Sequence, residues 1–183
     1  MNWADWMIIL FTAVWIGEFL FFKSRSKAEG DEKRSFPLIL TSVLLVIFTA
    51  AVTREFAFWT YEAAVIQGAG VFCYGSGIML RYWGILHLGR QFTRDVQVRD
   101  GDTLVGTGPY RILSHPLYSG LLFTVMGFTL YTGSILASIL VLFTALPALI
   151  RRIKGEETLL IQAFGIRYQE WMKSRYRLIP FIY

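Results

Sequence analysis

From Pro116 to Ile150 the chain runs thirty-five residues without a charge. As one helix at 1.5 Å per residue this stretch would be about 52 Å long, against a bilayer hydrocarbon core of about 30 Å. It therefore has to turn back on itself, and Tyr131-Thr132-Gly133-Ser134 carries the turn-forming residues. Two short helices are expected, over about residues 116–131 and 134–150. Pro147 is expected to kink the second near its exit.

Earlier apolar runs supply three more segments, at about residues 3–22, 36–52 and 61–86, with Pro37 in the first turn of the second, where a missing N–H costs little. Charged residues make up 17% of the chain, against about a quarter in soluble domains. The chain reads as an all-α polytopic integral membrane protein of about five transmembrane helices. It forms a single domain over 1–183, a three-helix part over 1–86 followed by a part over 87–183 that contains the helical hairpin and a C-terminal helix. The first apolar run has no basic residues before it and no small-residue cleavage site after it, so it reads as a retained helix. Leu159, Leu160, Ala163 and Phe164 recur at helical spacing in the mixed stretch from Lys154 to Tyr183, which predicts an amphipathic helix at the surface.

The net charge of +5 is carried in the loops, with no basic stripe and interleaved aromatics of the kind nucleic acid requires. Sixteen Lys and Arg fall in the 23–35 loop, the 87–114 loop and the tail, whereas the other side carries only Arg54. That asymmetry predicts the N-terminus outside and the C-terminus, with the 87–114 loop and the tail, in the cytoplasm (at the inner membrane in a prokaryote). Cys73, the single cysteine, lies in an apolar run and reads as a packing residue; no metal-ligand spacing accompanies His87 and His115. In the third segment Gly70, Gly77 and Gly84 share one stripe and Gly68 and Gly75 another, a pattern that lets helix backbones approach closely in lipid.

Three stretches could carry chemistry. Ser114-His115-Pro116 has the form of a helix start, with Ser114 as N-cap and Pro116 as the first helical residue. Arg152 and Glu156 stand four residues apart and share a helix face, with Glu157 adjacent. The Gly- and Pro-bearing loop from Gln97 to Tyr110 exposes backbone that could wrap a polar ligand. Each also has a plain structural explanation as a cap, a surface ion pair or a connection.

Together they resemble the isoprenylcysteine carboxyl methyltransferase family, in the five-helix layout of its small prokaryotic members. The resemblance runs from about Leu88 to Tyr183. It rests on Asp100-Gly101-Asp102-Thr103-Leu104-Val105, Gly108-Pro109-Tyr110, His115-Pro116-Leu117-Tyr118, Arg152 with Glu156-Glu157, Phe164-Gly165-x-x-Tyr168 and the closing Arg177-Leu178-Ile179-Pro180. It implies S-adenosyl-L-methionine-dependent methyl transfer to a lipophilic or lipidated acceptor in the bilayer. By the same carry-over, the cofactor residues would be Gln97, Asp102, Thr103, Leu104, Val105, Tyr110, His115, Pro116, Leu117, Tyr118, Glu156 and Glu157. Arg152 would meet the substrate, and Arg152 and Glu156 would be the catalytic pair. The acceptor would enter through lipid-facing gaps between the last helices. Where the family usually has Arg before His-Pro, this chain has Ser114, so Arg111 or Arg152 would have to supply that charge. The closing residues also resemble membrane reductases of the steroid-reductase type, which makes an NADPH-dependent reductase the alternative.

Overall fold

The computed structural model describes residues 2–21, 32–93, 98 and 101–183. Their regular structure is helical: α1 (Trp3–Phe21), α2 (Glu32–Glu55), α3 (Ala64–Leu88), α4 (Pro116–Thr132), α5 (Ile135–Leu140), α6 (Leu146–Phe164) and α7 (Ile166–Lys173). The five helical segments expected from the apolar runs are present. Two helices, Phe36–Glu55 and the continuous Ile135–Phe164, are long and apolar enough to cross a membrane by length and composition. Leu10 and Val14 on α1, Phe48 on α2, Phe72 and Met79 on α3 and Phe143 before α6 all turn outward. An apolar surface of that extent suits lipid, not water.

The ends of the helices follow from side chains. Asn2 and Asp5 cap α1 reciprocally, the Asn2 amide donating to Asp5 Oδ2 at 2.7 Å and the Asp5 amide to Asn2 Oδ1 at 3.0 Å. Gly133, at φ +70°, ends α4, and the Ser134 hydroxyl accepts from Ala137 N at 3.1 Å to start α5. The turn predicted at 131–134 is thus in place. It is braced from the α2–α3 link, where Tyr61 N donates to Gly133 O at 3.1 Å and Ile135 N to Trp59 O at 3.1 Å.

Three expectations are corrected. Pro37 is not in the first turn of α2, because the helix begins at Glu32. Glu, Lys and Arg are good helix formers, so the helix outruns the apolar stretch that was used to bound it. Helix α6 does not stop at residue 150 but runs on to Phe164, carrying Arg152 and Glu156 in its middle. Pro147 stands just after a π-helical turn, Val141–Ala145, which accommodates the ring and the missing N–H within one continuous helix. The tail is not one amphipathic helix: it breaks at Gly165 (φ +60°), forms α7, and then turns back.

The glycine stripe of α3 packs on α4. A Cβ on Gly77 would stand 2.5 Å from Gly120 O, and one on Gly120 would stand 2.6 Å from Gly77 O. Gly84 faces Leu117, and Gly75 of the second stripe faces Phe11 of α1, whereas Gly68 meets nothing within 4 Å. Cys73 sits in the same seam, its Sγ 3.4 Å from Phe123 O. One buried apolar cluster joins α2, α4, α5 and α6 through Val46, Val125, Ala137 and Ile153; another joins α1, α3 and α4 through Ile8, Tyr74 and Tyr131.

Candidate active site

The pairing of two distant stretches builds the site. Ser114 N donates to Tyr176 O at 2.7 Å, Tyr176 N to Ile112 O at 2.9 Å, and His115 N to Arg177 O at 3.2 Å. The returning tail thereby holds the start of α4. His115, not Ser114, is the N-cap residue, and it makes no side-chain cap; Pro116 is the first helical residue as expected. Tail hydrogen bonds occupy the Ser114 and His115 amides, and the cap falls one residue later than expected while the helix start does not move. Upstream, Gly108 (φ +57°) turns tightly against the His87 ring, and Thr103 N donates to Gln91 Oε1 at 2.6 Å.

These elements surround a cavity of about 410 Å³. Asp102, Thr103, Leu104, Val105, Tyr110, His115, Pro116, Leu117, Tyr118, Arg152 and Glu156 all line it. Gln97 lies outside the described residues. Glu157 is not among the lining residues. It is turned one position around α6, where it accepts from Arg177 Nε at 2.8 Å and faces His115 Nε2 at 3.5 Å.

His115 and Glu156 are close, with Nδ1 3.8 Å from Oε2. Arg152 is buried, and its Nε donates to the Tyr118 hydroxyl at 3.2 Å. Ser114 also lines the cavity; of the two arginines expected to supply the missing charge, Arg111 is exposed and does not line it, whereas Arg152 does. Tyr110 is buried beside the Glu156 carboxylate, and burial first, then that charge, push its phenol above the usual range, with Arg81 opposing. It is a neutral hydroxyl at any physiological pH.

The cavity also has an apolar arm. Trp15 and Ile16 of α1, Phe36, Ile39, Leu40 and Val43 of α2, and Leu121 of α4 line it. Leu160 and Phe164 of α6 add apolar lining across from α4, so the cavity reaches the first two helices as well as the last ones, and residues before 87 contribute a large share of the site. Arg81 lines the cavity as well. Its Nε donates to Glu18 Oε2 at 2.8 Å, a second guanidinium nitrogen reaches Glu18 Oε1, and Nη1 donates to Leu117 O at 3.1 Å. The sequence did carry a signal for this pair, since each residue is a lone charge deep in an apolar run.

At the polar end several atoms are buried without a hydrogen-bond partner: Ser114 Oγ, His115 Nε2, Glu156 Oε2, Tyr168 OH and Trp171 Nε1. An unsatisfied buried polar atom costs about 1–3 kcal/mol. All five belong to residues that line the cavity.

A family model described as the isoprenylcysteine carboxyl methyltransferase (ICMT) family matches residues 69–162. The chain belongs to the ICMT family. A rice (Oryza sativa subsp. indica) relative named probable protein-S-isoprenylcysteine O-methyltransferase is 30% identical over 108 residues, 58% of this chain and 56% of that protein. Protein-S-isoprenylcysteine O-methyltransferase B of Arabidopsis thaliana is 32% identical over 108 residues, 58% of this chain and 55% of that protein. In each case the matched part spans little more than half of the relative's own length. The solved structure of a eukaryotic intramembrane Ras methyltransferase ICMT shares the fold, with a TM-score of 0.66 and 23% identity over 80% of this chain and 53% of that one. The family match begins within α3, so the glycine seam and Arg81 lie inside the ICMT region. The reductase alternative finds no support in these similarities.

Proposed function

We propose that this ICMT-family protein transfers a methyl group from S-adenosyl-L-methionine to a lipophilic acceptor at the membrane surface. The acceptor is most simply a carboxylate on an isoprenylcysteine-type group. One observation carries this reading: a single cavity joins a polar end rich in unpartnered buried atoms to an apolar arm reaching toward α1 and α2.

The residues at the polar end fit the cofactor. Asp102–Val105, Tyr110, His115–Tyr118 and Glu156 would hold it, with Leu104 and Val105 against its apolar face and Glu156 and His115 on its polar groups. When bound, the cofactor supplies a methyl group on a sulfonium cation. Gln97 remains a candidate contact from the same loop. Glu157 acts one step removed: held by Arg177, it braces His115 from behind.

Arg152 would bind the acceptor carboxylate in a charge-assisted pair, and Tyr118 fixes the guanidinium. A carboxylate is already ionised near pH 7, so the chain has no proton to remove and needs no general base. Its residues contribute by orientation and by stripping water from the nucleophile in a largely apolar pocket. The prenyl part would occupy the apolar arm. We also propose five spans with the N-terminus outside, from the basic asymmetry of the loops, which puts the polar end at the cytoplasmic surface.

The test is incubation of purified protein with labelled S-adenosyl-L-methionine and an S-prenylated cysteine bearing a free carboxylate. A lipid extract of the host serves as a parallel acceptor source. Label should appear as a base-labile methyl ester. Arg152→Ala should abolish turnover while keeping S-adenosylhomocysteine affinity. Absence of both label transfer and S-adenosylhomocysteine binding in folded protein would refute the reading.

A further inference from the structure

Glu18 and Arg81 are charges set in apolar stretches of α1 and α3, and the methyl-transfer reading gives neither a task. Glu18 is 1% exposed, and Arg81 lines the cavity. Arg81 holds both Glu18 carboxylate oxygens through two guanidinium nitrogens, and its Nη1 donates to Leu117 O at 3.1 Å. One guanidinium thus joins α1, α3 and α4. Gly120 of α4 leaves room for it, since a Cβ there would stand 2.6 Å from Arg81 Cγ. Beside it, the Tyr82 hydroxyl donates to Val14 O at 2.6 Å, a second directional link between α3 and the same stretch of α1.

Taking two charges out of water costs about as much as their attraction returns, and a well-packed apolar pair holds two helices without that cost. Charges kept inside a membrane segment point to function instead. What this pair adds is direction. Apolar helices in lipid have no hydrophobic force to set their spacing, whereas a two-pronged guanidinium–carboxylate contact fixes position and rotation together. The turn of α1 fixed in this way carries Trp15 and Ile16, which line the apolar part of the cavity. Ile16 is also exposed, so this wall borders the lipid-facing surface.

We propose that Glu18 and Arg81 are positioning residues for the acceptor: the pair fixes the α1 wall of the cavity and so sets how firmly the acceptor's prenyl chain is held. This rests on the methyl-transfer reading above and extends it to α1, which lies outside the stretch matched by the family model.

The experiment compares wild type, Glu18→Gln and the double variant Glu18→Gln/Arg81→Gln as full chains in detergent. The double variant leaves no buried charge unpaired at this place, so it serves if Glu18→Gln does not fold. Methyl transfer is followed with S-farnesylcysteine and with the shorter S-geranylcysteine, and S-adenosylhomocysteine affinity is read by calorimetry. KM for the farnesyl acceptor should rise about 2–10-fold, and KM for the geranyl acceptor by less, because a shorter chain reaches less of the wall. Unchanged kcat is expected, as for lost binding that is uniform between ground and transition states. In Glu18→Gln, S-adenosylhomocysteine should bind as it does to wild type. Wild-type KM values for both acceptors overturn the proposal. Equal increases for the two chain lengths also overturn it, since a merely structural fastening would not sense the chain. A loss of S-adenosylhomocysteine affinity matching the acceptor effect does the same, and so does a wild type that fails to distinguish the chains. Folded wild type that methylates neither acceptor is a different result: it removes the methyl-transfer reading, and this role with it.

Discussion

Replacing Gly77 with Ala tests whether the α3–α4 seam holds the site together. The added methyl would lie 2.5 Å from Gly120 O and 2.6 Å from Thr124 N and Oγ1. Ordinary contact begins at 3.4 Å, so the helices must part by about 0.9 Å at this level. The obstacle is mainly backbone, which cannot rotate aside as a side chain could. Overpacking of this kind costs about 1–3 kcal/mol. For a chain of this length each kcal/mol moves the melting temperature by roughly 2–4 °C, so a fall of about 2–12 °C is expected. Gly68→Ala is the control on the same helix, since nothing lies within 4 Å of its Cβ position. Helix propensity favours Ala over Gly by up to about 1 kcal/mol there, so that variant should melt at or above wild type. Parallel thermal melts in one detergent read out both. Equal melting of Gly77→Ala and Gly68→Ala would show that the close approach of α3 and α4 is not a tight constraint.

Further consequences follow from particular contacts. Ser134→Ala removes both the α5 cap and the acceptor of the Thr53 hydroxyl, 2.7 Å away; a loss of about 1–2 kcal/mol is expected in denaturant melts. Arg177→Ala strips the nearest guanidinium from the buried Glu157; it should lower stability and weaken S-adenosylhomocysteine binding together, since His115 loses its backing. A variant that bound normally would rule out that chain of support. Tyr110 and Tyr168 have phenols pushed up, in each case chiefly by burial and then by Glu156. Groups with a raised folded-state pKa stabilise fully below the unfolded value of about 10 and lose that contribution as pH rises above it. Melting temperature should therefore be insensitive to these two groups up to about pH 10 and fall beyond it, more steeply in wild type than in Tyr168→Phe.

The reach of sequence reasoning differed by residue. The hairpin turn at Gly133, the close-packed face of Gly70, Gly77 and Gly84, and the shared face of Arg152 and Glu156 were legible because each depends on geometry within a turn or two of helix. Ser114 is not the cap and Glu157 does not line the cavity, and neither was legible for the same reason. A cap rule sees only the next few residues, and Ser114 answers instead to Tyr176, sixty-two positions away. Glu157 shares a motif with Glu156, yet one residue is a 100° rotation on a helix, and Arg177 waits on the other side. Arg81 and Glu18 could have been paired in principle, as two lone charges in apolar runs, but nothing local says that α1 and α3 bring them level.

By itself, then, the order of residues determined a helical membrane protein, where its long apolar run must fold back, and which helix face carries the Arg–Glu pair. These follow from bilayer thickness, backbone sterics and the helical repeat, all of which act over short stretches of chain. Only the tertiary structure decided that the tail returns to pin His115, that the cavity reaches α1 and α2, and that Tyr168 and Trp171 of α7 line the same cavity. Those outcomes depend on which distant segments can satisfy one another's buried backbone and charge, and no local pattern encodes that choice.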